Sequence, residues 1–292
     1  MSALFYRGTA RSDDRPEIEP LTPAAVRDLR LPWLSRFNTQ LLAHHLHERP
    51  GHALWVPRTG EYIVWEPWRR RNDIANVLEV TARRGRDALI EEMVSTARGQ
   101  DYTLALCGDE VWRDHTKVWL GHDFTQMERI VFFRRELRDG LAGLDPASFP
   151  ALAIRRAGLA HIDELMVVDH DSFPWMWWNS YAEFEAYLQM GKVYAYIAYL
   201  DEVPVGYASF TLYEGWAHLD RLAVASAYQG RRLGASQLLT VLHRMRELGA
   251  GSVGLSTQED NTQSHRLYRA FGFKQQSDTM TFYGRKLESA EY

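Results

Sequence analysis

Hydrophobic positions along this chain fall at two spacings. Ala53-Leu54-Trp55-Val56, Tyr62-Ile63-Val64-Trp65 and Val77-Leu78-Glu79-Val80 are short apolar runs that predict strands. Between Asp87 and Arg98, Ala88, Leu89, Met93 and Val94 recur at helical spacing instead. Tyr102 to Cys107 and Val131-Phe132-Phe133 predict two further strands. Upstream, Thr22-Pro23-Ala24-Ala25-Val26 reads as a helix start, with Thr at the cap and Pro in the first turn. It leads a partly helical stretch to about Glu48.

The second half repeats the rhythm. Leu152 to Arg155 predicts a strand, then Leu159 to Asp169 and Tyr181 to Met190 predict helices. Val193 to Leu200 and Val205 to Leu212 predict a strand pair around Asp201-Glu202-Val203-Pro204, followed by a strand over Ala217 to Val224. Gly234 to Leu248 predicts a long helix capped by Gly249. Strand Ser252 to Ser256, helix Thr262 to Phe271 and strand Thr279 to Leu287 complete the series. The order of elements suggests that the halves are duplicates. Gly140 to Pro150, short and rich in Gly, Pro and Ala, is the expected linker. The chain is thus divided into a frayed segment 1–17, a first domain 18–139, the linker 140–150 and a second domain 151–292.

Composition narrows the function. A net charge of −4 gives no global basic field, so a nucleic-acid partner is not expected. The run Arg69-Arg70-Arg71 reads as a solvated corner. No stretch approaches the roughly 20 apolar residues that span a bilayer. The first residues lack the apolar core of a signal peptide, so no membrane association and a cytoplasmic location are expected. The lone cysteine, Cys107, excludes an intrachain disulfide and reads as a buried hydrophobe. The histidines show no metal-ligand spacing, so no metal is expected.

Candidate chemistry lies in two stretches. In Arg221 to Ala235 a strand ends, a turn of small and basic residues follows, and a helix begins. Unpaired N–H groups at a helix start, with the loop before it, form an anion nest suited to a diphosphate. Gly234 would let such a ligand approach the backbone closely. In Asn261 to Phe273, a helix places Asn261, Ser264 and Tyr268 along one face.

Together these stretches resemble the GNAT superfamily of N-acyltransferases. The family's coenzyme signature, Gln/Arg-x-x-Gly-x-Gly/Ala, reads here as Gln229-Gly230-Arg231-Arg232-Leu233-Gly234, with Arg232 replacing the first signature Gly. The later signature is intact as Asn261, Leu267, Tyr268, Gly272 and Phe273. The resemblance covers the second half. It implies an α/β (α+β) fold with a mixed, mostly antiparallel central sheet flanked by helices, in two similar domains. The first half resembles the same fold without the signature, because Thr81-Ala82-Arg83-Arg84-Gly85-Arg86 is too short for it. That half is expected to be non-catalytic.

The resemblance also implies a reaction: direct transfer of an acyl group, most simply acetyl from acetyl-CoA, to an amine. Backbone groups of Leu222 and Val224 would hold the pantetheine arm, and an N–H near Ala223 or Val224 would polarise the thioester. Gln229, Gly230, Arg231, Arg232, Leu233, Gly234 and Ala235 would take the diphosphate; Asn261 and Ser264 would flank the pantetheine. Tyr268 matches the family's general acid, which protonates the leaving sulfur. Strand alternation puts His218, Asp220 and Leu222 on one face, where His218 would act as base and Asp220 would hold its imidazole or attract the ammonium.

Phe173, Trp175, Trp177 and Trp178 crowd the segment between the first two helices of the second half. They either line an acceptor pocket, with Tyr213 and Glu214 beside them, or pack between the domains. The expected acceptor is a small-molecule or peptide amine, and a homodimer is left open. The tandem arrangement is similar to that of mycothiol synthases, which gives one enzymatic alternative. A non-catalytic acyl-CoA sensor is the alternative from another class. Aminoacyl-tRNA-dependent transferases also pair such domains, but the signature and the acidic charge argue against that reading.

Overall fold

The computed structural model describes residues 16–81, 84–110, 116–138, 140–141 and 150–287. Most of the linker and nearly all of segment 1–17 lie outside these residues. The first half contributes β1 (Glu19–Pro20), α1 (Thr39–Glu48), β2 (Ala53–Val56), β3 (Glu61–Pro67), β4 (Ile74–Val80), α2 (Arg86–Gly99), β5 (Leu104–Glu110), α3 (Thr116–Leu120) and β6 (Thr125–Glu136). The second contributes β7 (Ala153–Arg156), α4 (Ile162–Ser172), α5 (Tyr181–Gln189), β8 (Val193–Leu200), β9 (Val203–Leu212), β10 (Trp216–Val224), α6 (Leu233–Glu247), β11 (Ser252–Gln258), α7 (Thr262–Ala270) and β12 (Lys274–Lys286).

The two halves run the same course. Each has an antiparallel series of strands, a long helix, a strand parallel to the last of the series, a short helix and a long final strand. The architecture is the expected mixed, mostly antiparallel sheet flanked by helices. One difference from the expectation concerns Thr22 onwards. Only a 3-10 turn forms, at Ala25–Asp28. Pro32 disfavours helical geometry in the residue before it, and the true helix, α1, starts only where Asn38 accepts the Leu41 N–H at 2.8 Å.

The final strands cross over. The sheet order is β1-β2-β3-β4-β5-β12-β6-β11-β10-β9-β8-β7. β12 of the second half therefore pairs with β5 of the first, and β6 of the first half pairs with β11 of the second. β6 and β12 pair with each other at the centre. Each half supplies the strand that completes the other's sheet.

Apolar cores form on both faces. In the second half, α6 and α7 bury Leu238, Leu242 and Phe271 against Phe133, Phe210 and Val253. On the other face α4 and α5 bury Leu165, Val168 and Phe184 against Ile197 and Tyr207. In the first half, Leu89, Ile90 and Met93 of α2 pack on Ile63, Trp65 and Cys107. Cys107 is fully buried there, and burial raises its thiol pKa well above the ordinary value. No helix among the described residues is long and apolar enough to cross a membrane.

Candidate active site

The site is opened by a split in the sheet. Parallel strands β10 and β11 pair only from Trp216 to Leu219 and from Ser252 to Leu255. Beyond that point β10 keeps its partner β9 and β11 keeps its partner β6, so the two strands diverge. A β-bulge between Leu219 and Arg221 sharpens the bend of β10. The wedge is a cleft of about 660 Å³ bounded by β10, the end of β11, the turn before α6, and α7.

The bulge changes which residues share a face. Simple alternation would group His218, Asp220 and Leu222. Instead Asp220 and Arg221 both reach toward α4, α5 and the segment between them, and Leu222 packs against the α6 core. The extra residue at Asp220 shifts the alternation by one.

At one end of the cleft lies the turn into α6. Gly230 has φ +77° and Arg232 has φ +62°, so the chain coils back through the left-handed region twice. Among the described residues, no backbone carbonyl takes the N–H groups of Gly230, Arg231, Arg232, Leu233 or Gly234. No side chain caps α6 either. A run of unclaimed amides at a helix start is an anion-binding surface. Gln229 fixes the turn by donating its side-chain amide to the Val224 carbonyl at 3.0 Å. All of these except Arg231 line the cleft, as do Leu222, Ala223, Val224 and Ala235. Arg231 instead lies over the Tyr228 ring, 5.3 Å from its centroid.

The opposite wall is α7. Asn261 caps it by accepting the Ser264 N–H at 3.1 Å, and both residues line the cleft. Tyr268 is 6% exposed, packs against Phe133 and Phe273, and also lines the cleft. Burial raises its phenol pKa above the ordinary value, only partly offset by a hydrogen bond with Ser264, so the hydroxyl keeps its proton.

Across the cleft, Asp220 gathers three hydrogen bonds. His218 Nδ1 lies 2.8 Å from Oδ1, while Oδ2 accepts from the Tyr187 hydroxyl at 2.5 Å and from Thr211 at 2.7 Å. Burial, then the Asp220 charge, holds Tyr187 protonated. His218 stands one hydrogen bond behind Asp220 and is not itself in the cleft lining. Sequence reasoning missed Tyr187 and Thr211. Tyr187 stands three residues after buried Phe184 on α5, a spacing that marks the sheet-facing side. Thr211 is the register partner of His218 across the β9–β10 hairpin.

The aromatic segment divides. Trp177 lines the cleft and also joins the halves, meeting Trp68 at 5.7 Å and Phe282 at 5.3 Å and donating to Glu128 at 2.8 Å. Phe173 lines the cleft under the Arg221 guanidinium. Trp178 stacks on His170, and Trp175 packs beneath Arg71 at the surface. Tyr213 stacks on Trp216 at 4.4 Å, at the start of β10 and away from the cleft; Glu214 stays with them. Arg69, expected at a solvated corner, is instead a cleft residue, packed over Trp68 and Trp177. Nothing in the local sequence marks it, because Trp177 and Asn179, which meet its guanidinium, come from the other half of the chain.

The first half carries the equivalent helix start with the two amides just before the helix already taken. The Glu61 carboxylate accepts the N–H of Arg84 at 2.9 Å and of Gly85 at 3.1 Å, just before α2. The protein's own carboxylate sits where an anion would bind.

A split parallel strand pair, a run of unclaimed amides at the following helix and a buried, protonated tyrosine opposite thus bound the cleft. Residues 162–273 match the model of the Acetyltransferase (GNAT) family. A mycothiol acetyltransferase from Nocardia farcinica is 28% identical over 284 residues, spanning 88% of this chain and 85% of the relative. Among solved structures, a GCN5-related N-acetyltransferase from Sphaerobacter thermophilus superposes with TM-score 0.64 at 14% identity, covering 94% of this chain and 96% of its own. A tandem GNAT protein from the clavulanic acid biosynthesis pathway gives TM-score 0.59 at 17% identity, covering 94% and 99%. At these identities the solved structures speak for the fold alone.

Proposed function

We propose that the protein is an acyl-CoA-dependent N-acyltransferase, most simply an N-acetyltransferase, acting on the primary amine of a small molecule or peptide. The observation that carries this reading is the run of unclaimed amides from Gly230 to Gly234 at the mouth of the split between β10 and β11. Those amides would hold the diphosphate, with Arg231 and Arg232 adding charge, and the unpaired edge of β10 at Leu222 to Val224 would hold the pantetheine arm. Acyl-CoA would supply the acyl group activated as a thioester.

The residues of this chain then divide the proton work. An amine is mostly protonated near neutral pH and must lose a proton before it attacks. Asp220, with His218 hydrogen-bonded behind it, takes that proton. A backbone N–H near Ala223 or Val224 donates to the thioester carbonyl as charge builds on its oxygen. As the carbon–sulfur bond breaks, Tyr268 passes its proton to the sulfur. The first half would bind no coenzyme, since Glu61 fills its helix start.

The test is thermal melting of the purified chain with acetyl-CoA, CoA and ADP. At a hundred times its dissociation constant, acetyl-CoA should add about 2.7 kcal/mol of stability. No rise in melting temperature at millimolar ligand would overturn the coenzyme site. Binding without turnover of any amine would favour an acyl-CoA sensor instead. A second enzymatic reading, a mycothiol acetyltransferase, is favoured by the Nocardia farcinica relative that aligns over most of the chain. Assay with that acceptor decides it.

A further inference from the structure

The cleft lining includes two arginines, Arg69 and Arg221; Asp220 shares the lining, and among the described residues Asp169 lies within ion-pair distance of Arg221 only. Arg69 follows β3 in the first half of the chain, and Arg221 ends the β10 bulge in the second. The two meet on one neutral atom. Asn179 Oδ1 accepts from Arg69 at 2.6 Å and from Arg221 at 3.0 Å. Arg221 also donates to the Trp177 carbonyl at 2.7 Å and lies 3.8 Å from the Asp169 carboxylate. That carboxylate already accepts the Tyr207 hydroxyl at 2.5 Å and the Asn179 N–H at 2.9 Å.

Arg69 is less well answered still. Among the described residues no carboxylate lies within ion-pair distance of it, and its Nε–H is buried without an acceptor. Glu183, the next acid along, faces Arg70 at 3.6 Å. Burial, then the Arg221 charge, lowers the Arg69 pKa to about 9. An aspartate at position 179 would have settled both cations; the residue there is a neutral amide. Both arginines line the cleft, beside Phe173, Trp177 and Phe282. Among apolar rings a charge is poorly screened, so an anion placed there would be held strongly.

We propose that Arg69 and Arg221 clasp a carboxylate carried by a substrate, so that either the acceptor amine bears a carboxylate or the acyl chain ends in one. The proposal rests on the acyl-transfer reading and narrows its substrate class. Two planar forks held side by side in one cleft lining suit the two oxygens of a carboxylate. The first half of the chain, without a coenzyme site of its own, thereby supplies a specificity residue to the second.

Calorimetric titration of the full chain, with and without CoA present, tests it. The first probe pair is N-acetylphenylalanine against N-acetylphenylalaninamide, aromatic to suit the ring-lined cleft. The second pair is succinyl-CoA against acetyl-CoA. The carboxylate member of one pair should bind about tenfold tighter or more. A gain in the first pair assigns the carboxylate to the acceptor, and a gain in the second assigns it to the acyl chain. Arg69→Met should bring that ratio close to one, and Arg69→Lys, which keeps the charge but loses the fork, should retain part of it. Equal affinities within both pairs for the wild-type chain overturn the proposal, whatever the variants do. Failure of CoA itself to bind sinks the acyl-transfer reading instead, and the first pair, measured without CoA, still decides whether a carboxylate is recognised.

Discussion

Arg232 is a residue in a conformation meant for another. It starts α6 with φ +62° and ψ +14°, in the left-handed region where a β-carbon crowds the backbone. Glycine stands there in the family signature, and Arg232→Gly should stabilise the fold by about 1 kcal/mol. The check is the melting temperature without ligand; a fall would mean that the Arg232 side chain makes an offsetting contact. Tyr268 is the opposite case, a residue whose burial fits the role proposed for it. Its phenol pKa is raised above 10.0, so it remains a proton donor throughout the neutral range. Tyr268→Phe should lower turnover by about a hundredfold or more while acetyl-CoA affinity is kept. Unchanged turnover would remove it from the mechanism. Tyr268 was legible because a motif surrounds it. Arg69 was not, because the atoms that make it a cleft residue, on Asn179 and Trp177, lie more than a hundred positions away along the chain.

Elements followed the hydrophobic pattern closely. The predicted helix Asp87 to Arg98 is α2 (Arg86–Gly99), and the predicted strand Val193 to Leu200 is β8 with the same bounds. Features that depend on how elements meet were harder to read. The β10 bulge is one, since no residue at Leu219 to Arg221 announces an extra position. Gly206 on β9 is another. A β-carbon there would lie 2.6 Å from the Ala223 carbonyl oxygen and 2.4 Å from the Gln237 side chain. That glycine lets α6 lie close on β9 and β10 behind the cleft. Gly206→Ala should therefore cost about 1–3 kcal/mol, read as a lower denaturant midpoint. A midpoint within error of the wild type would show that α6 can move outward freely. The contrast between the two helix starts belongs to this scale as well. α6 leaves its amides open, whereas the start of α2 is closed by Glu61 from the neighbouring strand.

The whole molecule is tied together by the exchange of β6 and β12. Neither half holds all the strands of its own sheet, and Trp177, Trp68 and Phe282 bury a further apolar contact where the halves meet. Segments 1–141 and 142–292, produced separately, should each fail to give a cooperative melt, and should regain one when co-expressed. The intact chain should unfold in a single transition seen alike by fluorescence and circular dichroism. Two separate transitions, or a stable isolated second half, would show that the exchange is dispensable.

By itself the sequence determined the elements, their order in each half, the repeat, and the motifs at residues 229–234 and 261–273 that resemble a family signature, because each of these is written in local spacing: period, caps, turns and short motifs. The tertiary structure decided which half each final strand would complete, on which face Asp220 and Leu222 would lie, that Glu61 would close the first half's helix start, and that Arg69 would meet Arg221 at the cleft. These depend on strand pairing and register between distant segments, and on charges brought together only when the sheet closes. A local pattern carries no record of such partners.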